Sequence, residues 1–187
     1  MFDTLLVANR GEIAVRIIRS ARELGLRTVA VFSDPDRGAP HVALADEAVH
    51  IGPAPARESY LVASRILDAA RATGAGAIHP GYGLLSEDAA FAQAVQDAGL
   101  VFVGPTPAQL ELFGAKDRAR ELARAAGVPM IAGTGVLADV DEALVAAQDI
   151  GYPVMLKATA GGGGIGMAPC ACAPELAEAF ARVQRLA

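Results

Sequence analysis

The stretch TLLVANRGEIAVRIIRSARELG, Thr4 to Gly25, changes its periodicity partway along. Thr4 to Asn9 is a short apolar run of strand length. From Gly11 onward the apolar residues Ile13, Ile17, Ala21 and Leu24 recur at helical spacing. Gly25 then supplies the usual C-terminal stop. A strand that feeds a helix through a short loop is half of a βαβ unit, so the rest of the chain is read for its repetition.

It repeats. RTVAVFS (Arg27–Ser33) is β-branched and ends in the turn DPD. EAVHIG (Glu47–Gly52) is a third short strand, followed by the helix SYLVASRILDAARATG (Ser59–Gly74). AGAIHPGYG (Ala75–Gly83) runs from strand into loop. SEDAAFAQAVQDAG (Ser86–Gly99) reads as a helix with Ser86 as N-cap, and LVFVGP (Leu100–Pro105) is a fifth strand. Such alternation predicts an α/β fold, a Rossmann-like, mostly parallel sheet with helices on both faces over residues 1–114. Sheets of this kind bind ligands at the carboxyl ends of their strands. That singles out the loops ANRGE (Ala8–Glu12), HPGYGLLSE (His79–Glu87) and VGPTP (Val103–Pro107).

Within those loops, Arg10 and Glu12 read as a structural pair pinning a turn. His79 reads as a satisfied structural group, and the glycines around Tyr82 tilt their loop toward a substrate. ANRGE lacks the three glycines of a dinucleotide turn. On the first helix, Arg16, Arg19, Ser20 and Glu23 share one face, which by charge alone is a solvated exterior.

The texture changes near Phe113. FGAKDRARELARAAGVP carries a helix ending at Gly127, on which Lys116 alone is an ordinary surface lysine. A loop and the helix DVDEALVAAQDIG follow, and YPVMLKATA (Tyr152–Ala160) is a strand. IGMAPC is a candidate returning strand. Pro174 opens a last helix with Leu176, Phe180, Val183 and Leu186 on one face, without a partner for that face in the sequence as it stands. The chain reads as a fold only begun.

Between the two strands lies KATAGGGGIGM, Lys157 to Met167. Gly161, Gly163 and Gly166 have G-x-G-x-x-G spacing, but the continuation contains Pro169 and Pro174 and cannot open the helix a dinucleotide site needs. The Walker pattern fails too, because Lys157 precedes the glycines. What fits is a glycine hairpin whose bare backbone closes over phosphates, with Lys157 adding charge. A surface hairpin without a ligand is the other reading. In either case ordering four consecutive glycines is costly, so poor order without nucleotide is expected.

Bulk properties remove several function classes. A net charge of −5 argues against nucleic-acid binding, and 53% hydrophobic residues support a packed core. The N-terminal apolar run is too short for a signal peptide, and no segment approaches a membrane span. Cys170 and Cys172 are too close for a disulfide framework. His41, His50 and His79 show no metal-ligand spacing, so no metal site is expected in this chain. A cytoplasmic protein is expected.

Together, ANRGEIAVRIIR, SDPD with HVALADEAVHIGPAP, SYL, AIHPGYGLLSE, FVGPT and GYPVMLKATAGGGGIGM, in that order, resemble biotin carboxylase, an ATP-grasp enzyme of the biotin-dependent carboxylases. The resemblance covers the whole chain. FGAKDRARELARAAGVP, GTGVL and Ile165, where the acyl-CoA and pyruvate branches tend to carry arginine, look most like the urea carboxylase branch. The resemblance implies a pre-ATP-grasp domain over 1–114 and the start of an ATP-grasp domain over 115–187.

The resemblance also implies site residues. Lys116 and Lys157 would contact ATP, and the backbone of Gly163 and Gly164 would touch its phosphates. Tyr82 and Gly83 would lie near biotin. Arg19 and Glu23 would sit on a homodimer face. Implied partners are ATP, bicarbonate, a biotin carrier domain and a carboxyltransferase. The family's Mg²⁺ ligands, catalytic base and biotin-pocket arginine come from later strands, so no catalytic residue is expected in this stretch. Two alternatives stay open: another ATP-grasp ligase of carbamoyl-phosphate or purine-pathway type, or a non-catalytic dimerisation or binding fragment.

Overall fold

The computed structural model describes residues 2–114, 116–158 and 166–185, without the side chains of Lys116 and Asp117. Gly163, Gly164, most of the expected glycine lid, Leu186 and the side chain of Lys116 therefore lie outside the described residues. The chain divides into two compact units, Met1–Glu111 and Leu112–Ala187.

In the first unit, strands β1 (Thr4–Val7), β2 (Arg27–Ser33), β3 (Glu47–Gly52), β4 (Ala77–His79) and β5 (Val101–Phe102) form one sheet in the order β3-β2-β1-β4-β5. Every neighbouring pair is parallel, with Leu6 opposite both Val29 and Ile78. The expected Rossmann-like sheet is present. β1 is apolar at consecutive positions because both of its faces are covered. Leu5 and Val7 pack with Ala14, Ile17, Ile18 and Ala21 of helix α1 (Gly11–Glu23). Leu6 points to the opposite layer, where Ile66 of α3 (Ala63–Thr73) and Phe91 and Val95 of α4 (Ala89–Asp97) lie. The short helix α2 (Pro40–Leu44) joins the α1 layer.

Three details differ from expectation. Leu24, expected on the buried stripe of α1, is 78% exposed, because it follows the last helical residue and leaves the inward face to Ile18. The N-cap of α4 is Asp88, whose carboxylate accepts the Phe91 N–H at 2.9 Å, and Ser86 lies in the preceding turn. An additional helix, α5 (Pro107–Gly114), follows β5. Its start is a capping box: the Thr106 hydroxyl accepts from Gln109 N–H, and the Gln109 side chain accepts from Thr106 N–H.

The second unit contains α6 (Lys116–Ala125), α7 (Val140–Ile150), β6 (Val154–Lys157), β7 (Met167–Cys170) and α8 (Ala173–Gln184). β6 and β7 pair antiparallel, so the returning strand is where the sequence suggested, with Lys157 opposite Met167. The inner face of this hairpin, including Ala168 and Cys170, packs on Ala143 and Ala147 of α7 and on Leu176, Ala179 and Val183 of α8. The apolar face of α8, expected to lack a partner, is thus buried against α7 and the hairpin. No helix among the described residues is long and apolar enough to cross a membrane.

Candidate functional site

The strand order reverses between β1 and β4, and the loops leaving these two strands meet there. In open α/β sheets this switch point is the ligand crevice. Ala8 N–H still donates to His79 carbonyl at 2.9 Å, as the ladder continues past β1. Beyond it Asn9, 4% exposed, donates from its side-chain amide to the carbonyl oxygens of Pro80 at 2.7 Å and Tyr82 at 2.9 Å. Gly81 has φ +69°, and a Cβ there would lie 2.6 Å from the Asn9 amide nitrogen, so only glycine admits this approach. Gly83 and Leu84 also have positive φ, +60° and +46°. Tyr82 is 59% exposed at the tip of this turn and its hydroxyl hydrogen-bonds Glu12.

His79 is held as expected of a structural histidine. Its Nδ1 accepts the Gly81 N–H at 3.0 Å, which requires that nitrogen to be unprotonated. Burial lowers its pKa and favours the same neutral state.

Arg10 and Glu12 do not pair with each other. Arg10 turns to the β2 side, 3.5 Å from Asp36 and 5.2 Å above the Tyr60 ring, while Glu12 faces Tyr82. Asp36 also accepts from the Ser33 and Tyr60 hydroxyls, both at 2.7 Å. Burial would raise the Asp36 pKa, but these two hydroxyls and Arg10 outweigh it and lower the value. The buried Tyr60 phenol is shifted upward by burial and by Asp36. Adjacent residues 9 and 10 thus tie the β1 loop to both sides of the sheet. Sequence reading missed Asn9, Asp36 and Tyr60, although polar residues ending two strands (Asn9, Ser33) were a visible signal.

In the second unit, Lys157 is exposed on the outer face of the hairpin together with Met155, Met167 and Pro169. The face is a small apolar platform with a single ammonium at its end, suited to a ligand with a flat apolar part and an anionic part. Gly166 (φ +75°) closes the described hairpin: its carbonyl accepts Ala158 N–H at 2.8 Å, and a Cβ on it would lie 2.8 Å from Ala158 Cβ.

On α1, Arg16, Arg19 and Ser20 line an open groove of about 600 Å³ with Gly11, Glu12, Val15 and Pro40; Glu23 is exposed at the end of the same helix. Among the described residues, no three His, Cys, Asp or Glu side chains converge as a metal site. Glu175, one of the few carboxylates after the hairpin, is occupied in capping α8 by accepting Ala171 N–H at 2.8 Å. The described residues therefore do not fit a Mg²⁺ ion.

Residues 1–110 match the family described as biotin carboxylase, N-terminal domain, and residues 115–187 match carbamoyl-phosphate synthase L chain, ATP binding domain. A biotin carboxylase of Halalkalibacterium halodurans is 53% identical over 100% of this chain and 42% of its own length. The biotin carboxylase domain dimer of Hydrogenobacter thermophilus 2-oxoglutarate carboxylase, solved with MgADP, ADP and bicarbonate, superposes with a TM-score of 0.88 at 48% identity, over 99% of this chain and 41% of that one. The urea carboxylase of Kluyveromyces lactis superposes at 0.68 and 47% identity, over 70% of this chain and 12% of that one. The chain spans between 15% and 42% of the length of three curated relatives that it matches.

Proposed function

The chain belongs to the biotin carboxylase family, and from that premise we propose that it is the N-terminal part of an ATP-dependent biotin carboxylase acting in the cytoplasm. Residues 1–114 would form its pre-ATP-grasp domain and 115–187 the start of its ATP-grasp domain. In the parent reaction a bicarbonate oxygen attacks the γ-phosphorus of ATP and ADP leaves. Biotin N1 then attacks the carbon of the resulting carboxyphosphate, and inorganic phosphate leaves, taking up the N1 proton.

The observation that carries the nucleotide half is the register of Lys157 opposite Met167 on the outer face of a hairpin whose inner face is buried. Met155 and Met167 offer apolar surface to a purine, and Lys157 reaches the polyphosphate. Lys116 and the backbone of Gly163 and Gly164 complete that contact in this reading. A preorganised cation is worth most where negative charge develops and water is excluded. Tyr82 and Gly83 face the biotin ring at the switch point, and Arg19 and Glu23 pair across a two-fold axis in a homodimer. Mg²⁺, which supplies charge neutralisation in phosphoryl transfer, would be held by residues outside those described here. In this reading the carrier domain of the parent holds the biotin, and its carboxyltransferase takes the carboxyl group onward to the acceptor.

Relatives named for 2-oxoglutarate and for urea share 48% and 47% identity with the chain over the parts they match. A urea-type acceptor is supported by Ile165 and the FGAKDRARELARAAGVP wording. Carboxylation of urea against acyl-CoA and 2-oxo-acid acceptors by the full-length protein decides among them.

The test of the nucleotide reading is a MgATP titration. Lys157→Ala should weaken binding by about tenfold or more, the range of one charge-assisted contact. Added salt should weaken the wild type further, because exposed charge is screened. The same salt-sensitive affinity in both proteins would defeat the assignment. The 187-residue chain alone is expected not to carboxylate free biotin, and turnover equal to that of the full-length protein would overturn this. A carbamoyl-phosphate or purine-type ligase would bind MgATP but show no biotin-dependent ATPase, and an assembly fragment would bind no nucleotide.

A further inference from the structure

We infer that Asn9 is a positioning residue for the turn that presents Tyr82 and Gly83, acting through the carbonyls of Pro80 and Tyr82. The inference rests on the carboxylase reading for the identity of the ligand, and on geometry alone for the hold on the turn.

The side-chain amide of Asn9 is fully committed. Both N–H groups donate to the turn, at 2.7 and 2.9 Å, and its oxygen accepts Arg10 N–H at 2.9 Å. Within the turn, Ser86 N–H donates to the Gly83 carbonyl at 2.9 Å, and the carbonyls of Pro80 and Tyr82 are left to Asn9. Gly81, Gly83 and Leu84 all have positive φ, which for a leucine is a strained conformation. Strain of this kind persists only where surrounding contacts over-determine it. The contacts on it are the Asn9 amide, the His79 ring nitrogen accepting from Gly81, the Tyr82 hydroxyl bonded to Glu12, the Gly83 carbonyl accepting Ser86 N–H, and Leu84 packed against the core behind α3 and α4. Of these, only Asn9 reaches the two carbonyls that flank Gly81. It stands directly after the buried residues Val7 and Ala8, so the stiffness of the central strand passes into the loop. The missing side chain of Gly81 is the space that the Asn9 amide occupies. Asparagine meets the demand, whereas aspartate cannot donate and an apolar side chain would leave both carbonyls without this donor.

The test uses the full-length protein with free biotin, bicarbonate and MgATP. Asn9→Ala should raise KM for biotin about tenfold, the range for one lost hydrogen-bonded link, with a smaller change in kcat and MgATP affinity within about twofold. Hydrogen exchange should accelerate at Tyr82, Gly83 and Leu84 and not in β1. Gly81→Ala attacks the same link from the other side and serves if Asn9→Ala does not fold. The double variant should be less than additive, because removing the amide makes room for the new methyl. Unchanged biotin KM and unchanged exchange in the turn would overturn the inference. So would a rise in biotin KM accompanied by equal losses of MgATP affinity and melting temperature, which is the signature of a merely structural residue. A wild type without biotin-dependent turnover would overturn the carboxylase reading instead. The exchange result then decides the role of Asn9 by itself: acceleration confined to the turn upholds it, and none overturns it.

Discussion

Asp36 receives two hydroxyl hydrogen bonds and a guanidinium on one carboxylate, from the end of β2 (Ser33) and from two separate loops (Tyr60 and Arg10). Its main partner, Tyr60, is itself buried and accepts the Ser33 N–H at 3.2 Å, so deleting one phenol oxygen leaves both groups short of a partner. Tyr60→Phe should therefore lower unfolding free energy by about 1–3 kcal/mol, measured by denaturant titration. The pH dependence has a definite sign. A carboxylate whose pKa is lowered by folding contributes stability above the ordinary value of 3.8, and that contribution is lost as pH falls through the folded value. The stability gap between wild type and Asp36→Asn should accordingly shrink on acidification below 3.8; a constant gap would show that the carboxylate charge is irrelevant. Neither residue announced this role, since Tyr60 lies 24 positions from Asp36 and the SYL triplet shows no partner.

Secondary structure elements here stop and start on local chemistry that the sequence only partly exposed. Both Ser86 and Asp88 precede α4, and either side chain could cap it; the backbone places Asp88 at the cap. Asp88→Ala should cost about 1 kcal/mol and Ser86→Ala close to nothing, a comparison that thermal melts can make. Among the described residues, Gly166 closes the β6–β7 hairpin beyond the strands themselves. Gly166→Ala would combine positive φ with a 2.8 Å approach to Ala158 Cβ. A loss of about 1 kcal/mol or more is expected from the left-handed conformation alone, with nucleotide affinity falling alongside. For α1, the charge face proposed for a dimer predicts that reversing Arg19 and Glu23 together lowers dimer affinity in the full-length protein, by sedimentation at dilute concentration. Unchanged sedimentation would remove α1 from the interface.

Across the whole of the first unit, two histidines bias stability toward neutral pH. His41 is fully inaccessible and bonds the Val31 carbonyl through Nε2 at 3.3 Å, while its Nδ1 has no partner among the described residues. Burial is the main cause that lowers its pKa, as it is for His79. The unfolded chain takes up these protons near the ordinary value of 6.5 and the folded chain does not, so stability falls as pH drops below 6.5. Each group can contribute at most about 1.4 kcal/mol per pH unit in this window. Replacing His41 by Gln should flatten the stability profile between neutral pH and the acid limb; an equally steep profile would mean that other groups carry the linkage.

What the sequence determined by itself depended on near neighbours. Strand and helix periodicity, glycine stops and the order of elements came from residues a few positions apart, and they were enough to require a parallel α/β sheet and an antiparallel glycine hairpin. The ordered motifs from ANRGE to GGGGIGM likewise carried the family, because each is contiguous. Tertiary structure alone decided which polar side chains converge. Asn9 meets Pro80 and Tyr82 across 71 and 73 positions, and Glu12 meets Tyr82 across 70. Such contacts exist only once the sheet sets β1 beside β4, and no local pattern encodes a partner that the chain brings in from so far away. The same reason explains Arg10 and Glu12, which are close in sequence and serve opposite sides of the sheet, and the buried face of α8, which found its partner in α7 and the hairpin.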